Sequence, residues 1–239
     1  MTMRENLFRP IHKGIRLMIY ESGLRLATTD FANLPESNDT VGLLRRDLDS
    51  SSSNCMLCML RVHADHEEND LFGPVRPYAA TTVDELVVQH GEIVRQIESI
   101  ARTCDEIERT QDTRQRVDLG DRLNLECNRL FTFFLGHLID EETKIVPIMW
   151  EKFTDEQLRG LRSQFYNRIP LERFDDWMRW TIPALNLSEL LVFLLGMRAE
   201  PVPNRYAEAM RIAKETLDDT RWRALETQVG HDVTGIHHA

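Results

Sequence analysis

Two stretches of the chain place a histidine one helical turn before a glutamate: His63-Ala-Asp-His-Glu67 and His137-Leu-Ile-Asp-Glu141. At a spacing of four, the imidazole and the carboxylate leave the same face of a helix and stand one above the other. Both pairs fall on apolar stripes. Cys55, Met59, His63, Glu67 and Leu71 follow one another at i+4, and Phe134, His137, Glu141 and Ile145 at steps of three, four and four. An ionised carboxylate on such a stripe is costly unless it is paired or bound to a cation, and neither stripe carries a Lys or Arg. His90 interrupts a third stripe, four after Leu86 and three before Ile93, and His12 shares a face with Ile15 and Ile19. Four imidazoles and two carboxylates on inward faces are the donor set of a metal site, and they are too many for one tetrahedral zinc.

Helices are the elements that must hold these residues. Apolar spacings of three and four recur along the chain, and strand-like alternation never persists. One helix is expected from about Asn6 to Thr29. A second runs from about Thr40 to Phe72, with a bend or break at Ser50 to Asn54, whose side chains compete for backbone hydrogen bonds. A third starts near Thr82, where Thr82 and Glu85 have capping-box spacing, and continues through Leu86, Ile93, Ile97, Ile100, Cys104 and Ile107. The fourth covers roughly Arg114 to Trp150, with Leu123, Cys127, Leu130 and Phe134 on its stripe. Breakers fall at Pro35, at Gly73-Pro74 with Pro77, and at Gln111 to Thr113. Four long helices joined by short links predict an all-α fold, an up-down-up-down four-helix bundle over residues 1–158.

The bundle reading sets the height of each histidine. His12 is near the start of its helix, His63 near the end of the next, His90 near a start and His137 in the last part of the fourth, so all four belong to one end. At ~1.5 Å rise per residue, His63, His90 and His137 lie roughly 12 to 15 Å from the nearest helix break, with His12 about a turn shallower. Residues 159–239 read as a C-terminal extension of shorter helices, over Leu171 to Trp180, Asn204 to Leu217 and Thr220 to Val229. Thr154 with Gln157 looks like another capping box, and Ser188 precedes the apolar run Leu190 to Leu195. No internal repeat is evident.

Composition removes several function classes. With 29 Lys and Arg against 39 Asp and Glu, the chain has a net charge of −10 and no basic surface for nucleic acid. The longest apolar run, Leu190 to Met197, is well short of the ~20 residues that span a bilayer, and Met1 to Glu5 begins no signal peptide. The four cysteines do not make a disulfide framework, so a reduced, cytoplasmic protein is expected. Cys55 and Cys58 form a Cys-x-x-Cys without a second pair, which reads as core packing, with a redox role as the alternative; Cys104 and Cys127 stand singly. His66 is expected beside the ligands or at the surface. Glu68 and Glu142 are expected to face solvent or to hydrogen-bond ligand histidines, and Asp65 and Asp140 to be solvated. Trp177, Met178, Trp180 and Phe193 read as the core of the extension, and His237 and His238 as a mobile tail.

The ordered set His12, His63-x-x-x-Glu67, His90 and His137-x-x-x-Glu141 resembles the hemerythrin-like, or HHE cation-binding, family. The phrases "HKGIR", "HADHEENDLFGPV", "QHGEI" and "HLIDEETKIVPIMWEKFTDEQL" carry the same resemblance, over roughly residues 6 to 158. It implies two iron ions with an oxo or hydroxo bridge, Glu67 and Glu141 as bridging carboxylates, and the four histidines as terminal ligands. Two departures stand out. Leu86 occupies the place of a second helix-three histidine found in oxygen-carrying members. Their last carboxylate is spaced His-x-x-x-x-Asp, a slot that Glu142 would fill. With one imidazole fewer, the resemblance implies sensing, redox chemistry or handling of peroxide or nitric oxide rather than simple oxygen carriage. The expected function is a non-heme di-iron protein that binds, senses or reduces dioxygen or another small oxidant or diatomic gas. Its alternatives are a di-iron enzyme that scavenges peroxide or nitric oxide or repairs iron centres, and a metal-free helical scaffold. A ferritin-like site is disfavoured, because no histidine has Glu three residues before it. The C-terminal helices are a candidate homodimer surface.

Overall fold

The computed structural model describes residues 4–45, 55–199 and 204–235. Every regular element among them is helical: α1 (Arg9–Thr28), α2 (Leu34–Arg45), α3 (Met56–His66), α4 (Phe72–Arg109), α5 (Thr113–Asp140), α6 (Val146–Lys152), α7 (Asp155–Arg168), α8 (Leu171–Ala184), α9 (Leu187–Ala199), α10 (Arg205–Thr216) and α11 (Asp219–Gly235). Two π turns, Glu67–Leu71 and Glu141–Ile145, join α3 to α4 and α5 to α6. The bend expected at Ser50 to Asn54 lies outside the described residues, as do His237 and His238. Among the described residues no helix is long and apolar enough to cross a membrane.

Local chemistry sets the helix starts. Asn6 Oδ1 accepts from the N–H groups of Phe8 and Arg9 at 3.1 and 2.9 Å, opening α1. Asp112 does the same for α5, accepting from Arg114 and Gln115. Thr154 and Gln157 form the expected reciprocal box before α7, with bonds of 2.8 and 3.2 Å. Before α9 the box is Asn186 with Glu189, both bonds 3.0 Å, so the helix starts ahead of Ser188. Pro35 is the second residue of α2, where its missing N–H interrupts nothing.

After Gly73 the prolines lead to the break the sequence suggests, where two helical stretches of α4 meet across a kink. Pro74 follows the π turn and lacks the N–H that the Asp70 carbonyl would accept. Pro77 removes the bond that the Gly73 carbonyl would accept. The distortion appears two residues on, at Ala79 (φ −150°, ψ 48°), and the helix resumes. The start expected at Thr82 follows this kink by three residues.

The described residues form two compact units, one within Met1–Glu5 and Met18–Leu161, the other within Asn6–Leu17 and Arg162–Ala239. The beginning of α1, through Leu17, thus belongs with the C-terminal helices. In the first unit α4 packs along α5, and α2 and α3 pack on α4. Leu57, Met59, Leu60, Leu86, Ile93, Ile97, Ile100, Ile107, Leu123, Leu130 and Phe134 are buried there. At the far end Arg116 is buried and donates to the carbonyls of Phe31 and Ala32 at 2.7 and 3.0 Å. Gly120 admits the Phe31 ring, which a Cβ at that position would overlap.

In the second unit α10 packs on α8 and α9, and α11 on α9. Phe174, Trp177, Met178, Ile182, Leu190, Leu194, Ile212 and Leu225 make its core, with Phe193 buried and Trp180 half-buried beside them. The Leu190 to Met197 run is therefore mostly core, although Val192 is exposed. Gly14 lies against Thr181, where a Cβ would come within 3.0 Å of its backbone. Lys13 pairs with Glu189 at 2.6 Å, tying α1 to the cap of α9.

Candidate metal centre

The centre of the first unit is built from one short helical phrase used twice. In each copy a histidine lies in the last turn of an α-helix, a glutamate four residues later opens a π turn, and a proline follows shortly. The Phe72 N–H bonds the Glu67 carbonyl and the Val146 N–H bonds the Glu141 carbonyl, each five residues back. Pro74 and Pro147 supply no N–H to the carbonyls four residues before them, those of Asp70 and Thr143, and both carbonyls lie inside the π turns. Two residues after each glutamate a side chain reaches back over the widened turn: Asn69 Nδ2 donates to the Asp65 carbonyl at 2.6 Å, and Thr143 Oγ1 to the Ile139 carbonyl at 2.7 Å. The structure thus reveals a nine-residue repeat, 63–71 and 137–145. Only the His, the two consecutive Glu and an apolar ninth residue mark it in the sequence. π turns of this kind recur at functional sites.

These turns and α4 bring five of the expected residues together. His63, Glu67, His90, His137 and Glu141 are all buried. Glu67 Oε1 is 3.1 Å from His63 Nε2, and Glu67 Oε2 is 3.4 Å from His90 Nε2 and 3.9 Å from His137 Nε2. Glu141 Oε1 is 3.4 Å from His137 Nε2. The Nε2 atoms of His90 and His137 are 3.0 Å apart. Ligand atoms of Glu67, His90, His137 and Glu141 all lie within 4.8 Å of one another, a grouping able to hold a metal ion. Burial pushes the Glu67 carboxyl well above the ordinary carboxylate range, and the neighbouring Glu141 pushes it further. Burial and then His137 lower the His90 imidazole, against the pull of Glu68.

Aromatic rings close the sides. Phe72 stacks on His90, with centroids 5.5 Å apart and planes 8° from parallel. Phe134 stands 6.0 Å from the His63 ring and 5.9 Å from that of His137. Behind the imidazoles, His90 Nδ1 meets Glu68 Oε1 at 2.8 Å, as expected of a carboxylate beside a ligand. His137 Nδ1 meets Gln89 Oε1 at 2.7 Å, and Gln89 Nε2 donates to Asp140 Oδ2 at 2.9 Å. Asp140, expected to be solvated, is thus engaged. The Gln89 amide, and Lys144 at 3.1 Å behind it, hold its carboxyl below the usual range. Gln89 had no signal in the sequence beyond its place next to His90.

His66, Glu142 and the four cysteines fall outside the groupings able to hold a metal ion. His12 is buried on α1 in the Asn6–Leu17 segment of the second unit, edge-on to Phe8 with ring centroids 5.3 Å apart. Between the two candidates in the second phrase, Glu141 faces the imidazoles, whereas Glu142 is half-buried and outside the group. His66 is half-buried and also outside it. All four cysteines are buried as thiols. Cys55 caps α3, its Sγ accepting from the Cys58 N–H at 3.4 Å. Burial pushes the Cys104 thiol up to about 12 and raises Cys127 as well, which withholds the thiolate that redox chemistry needs. Comparison of the chain with family models, with curated proteins and with solved structures returns no match.

Proposed function

We propose that the chain is a non-heme di-iron protein that binds, senses or reduces dioxygen or another small oxidant or diatomic gas. One observation carries the metal reading. The Nδ1 atoms of His90 and His137 both point outward to oxygen acceptors. Their protons belong on that side, so the two Nε2 atoms, 3.0 Å apart, face each other as lone pairs. Two carboxylates converge on the same point. Four electron-pair donors at such distances repel one another unless a cation sits among them.

Imidazole and carboxylate together suit iron, manganese and zinc; iron is favoured by the resemblance of the ordered His and Glu residues to the hemerythrin-like family. In this reading His12, His63, His90 and His137 would be terminal ligands and Glu67 and Glu141 the shared carboxylates, as the resemblance implies, and the helices carrying them would form the up-down-up-down bundle. His12 enters through its burial and through the stripe it shares with Ile15 and Ile19, both buried on the same helix. When bound, a pair of irons supplies electron exchange with a small oxidant. The chain's own part is to set Glu67 and Glu141 beside the imidazoles, to present Nε2 from His90 and His137, and to exclude bulk water with Phe72 and Phe134.

Metal analysis and absorption spectra of protein carrying no affinity tag test this, in air and after dithionite. About two irons per chain are expected, with near-ultraviolet bands that bleach on reduction and vanish in His63→Ala and Glu67→Ala. A folded chain that takes up no metal after iron supplementation would sink the reading and leave a helical scaffold. Titration with dioxygen, peroxide and nitric oxide then separates binding from turnover.

A further inference from the structure

We propose that Asp140 and Gln89 are positioning residues that decide which nitrogen of His137 carries the proton and so leave the nitrogen facing the buried cluster with its lone pair. A side-chain amide can sit either way round, and an imidazole can carry its proton on either nitrogen. The hydrogen-bond chain Lys144–Asp140–Gln89–His137 removes both freedoms. The Asp140 carboxylate, which accepts from Lys144 Nζ at 3.1 Å, takes a second hydrogen bond from Gln89. Only the NH2 end of the amide can donate it, so Oε1 is turned to His137. A carbonyl oxygen accepts only, so the proton of His137 is held on Nδ1 and the lone pair of Nε2 is left for the cluster. Asp140 is 31% exposed, so the orientation of a fully buried ligand is fixed from the surface. None of these steps depends on which metal binds. Their use, a preset electron-pair donor, rests on the metal reading above.

The test is histidine-selective nitrogen NMR on the metal-free full-length chain, paired with zinc(II) affinity measured against a competing chelator. In the wild type the His137 proton is expected on Nδ1. In Gln89→Leu it should move toward Nε2, with zinc affinity lower by roughly 10- to 100-fold, as losses behind a metal-binding histidine commonly are. Asp140→Ala should shift the tautomer the same way, and it carries the test if Gln89→Leu does not fold. The double variant Gln89→Glu/Asp140→Asn exchanges donor and acceptor between the two positions and should restore the Nδ1 proton, a rescue that a purely structural role would not produce. His137 retaining its Nδ1 proton in Gln89→Leu or, where that variant does not fold, in Asp140→Ala would overturn the proposal, as would a double variant without rescue. Should the wild type bind no zinc(II) or iron, the metal reading fails while the tautomer result still decides the role of Gln89 and Asp140.

Discussion

Residues 63–71 and 137–145 make the same piece of helix twice, with the same π turn opened by a glutamate, yet each is backed from a different flank. In the first, the residue after the glutamate is used: Glu68 reaches His90 at 2.8 Å. In the second, the residue before it is used: Asp140 reaches His137 through Gln89. Both contacts are made on α4, by the adjacent residues Gln89 and His90. Neighbours on a helix point about 100° apart, so one helix can serve both phrases without serving them alike. His90 thereby has an anionic partner at Nδ1 and His137 a neutral amide. Repetition of the backbone does not carry repetition of the electrostatics.

The largest expected effect falls on the glutamate that opens the first phrase. Glu67 lies within 3.9 Å of imidazoles from three elements. Glu67→Ala should therefore abolish metal uptake; uptake equal to that of the wild type, by metal analysis, would remove Glu67 from the ligand set. Next is Phe134, which is fully buried between His63 of one phrase and His137 of the other. Phe134→Ala should cost about 3 to 5 kcal/mol in denaturant unfolding of the metal-free chain.

A smaller effect follows from pH. The Glu67 carboxyl is raised by burial and by Glu141, so the metal-free folded state holds its proton more tightly than the unfolded state does. That stability is fully present below the ordinary carboxylate pKa and is lost as pH rises toward the raised one. Each tenfold gain in proton affinity on folding is worth about 1.4 kcal/mol. A metal keeps the carboxylates ionised and cancels the loss, so the gap in melting temperature between loaded and metal-free protein should widen from acid to neutral pH. A gap that stays constant would mean Glu67 keeps its proton in neither state.

The smallest effect tests the repeat itself. Asn69→Ala and Thr143→Val each remove one side-chain bond over a π turn and should each cost about 1 kcal/mol. Thermal melts showing one costly and the other silent would mean the two turns are held by different forces.

Much of this centre was legible in the sequence, because burial of an ionisable residue leaves a trace when the residue interrupts a stripe. His63, Glu67, His90, His137 and Glu141 all sit where a helix of 3.6-residue period turns inward, and all five are buried. The choice between Glu141 and Glu142 was not legible. The two differ by one residue, and the π turn at that point changes the phase of the helix. Asp140 looked solvated because its partner, Gln89, is 51 residues away.

What the sequence determined by itself is periodic and local: helices throughout, reciprocal caps such as Thr154 with Gln157, and histidines and glutamates on apolar faces. These follow from interactions that span four residues or fewer. Only the tertiary structure decided what lies between helices. It grouped residues 6–17 with the C-terminal helices rather than with the rest of the N-terminal chain. It turned Gln89 toward His137 and Glu68 toward His90, and it set the two Nε2 atoms face to face. Those outcomes depend on how helices pack and rotate against each other, and that packing is a sum over many distant side chains that no short stretch of sequence contains.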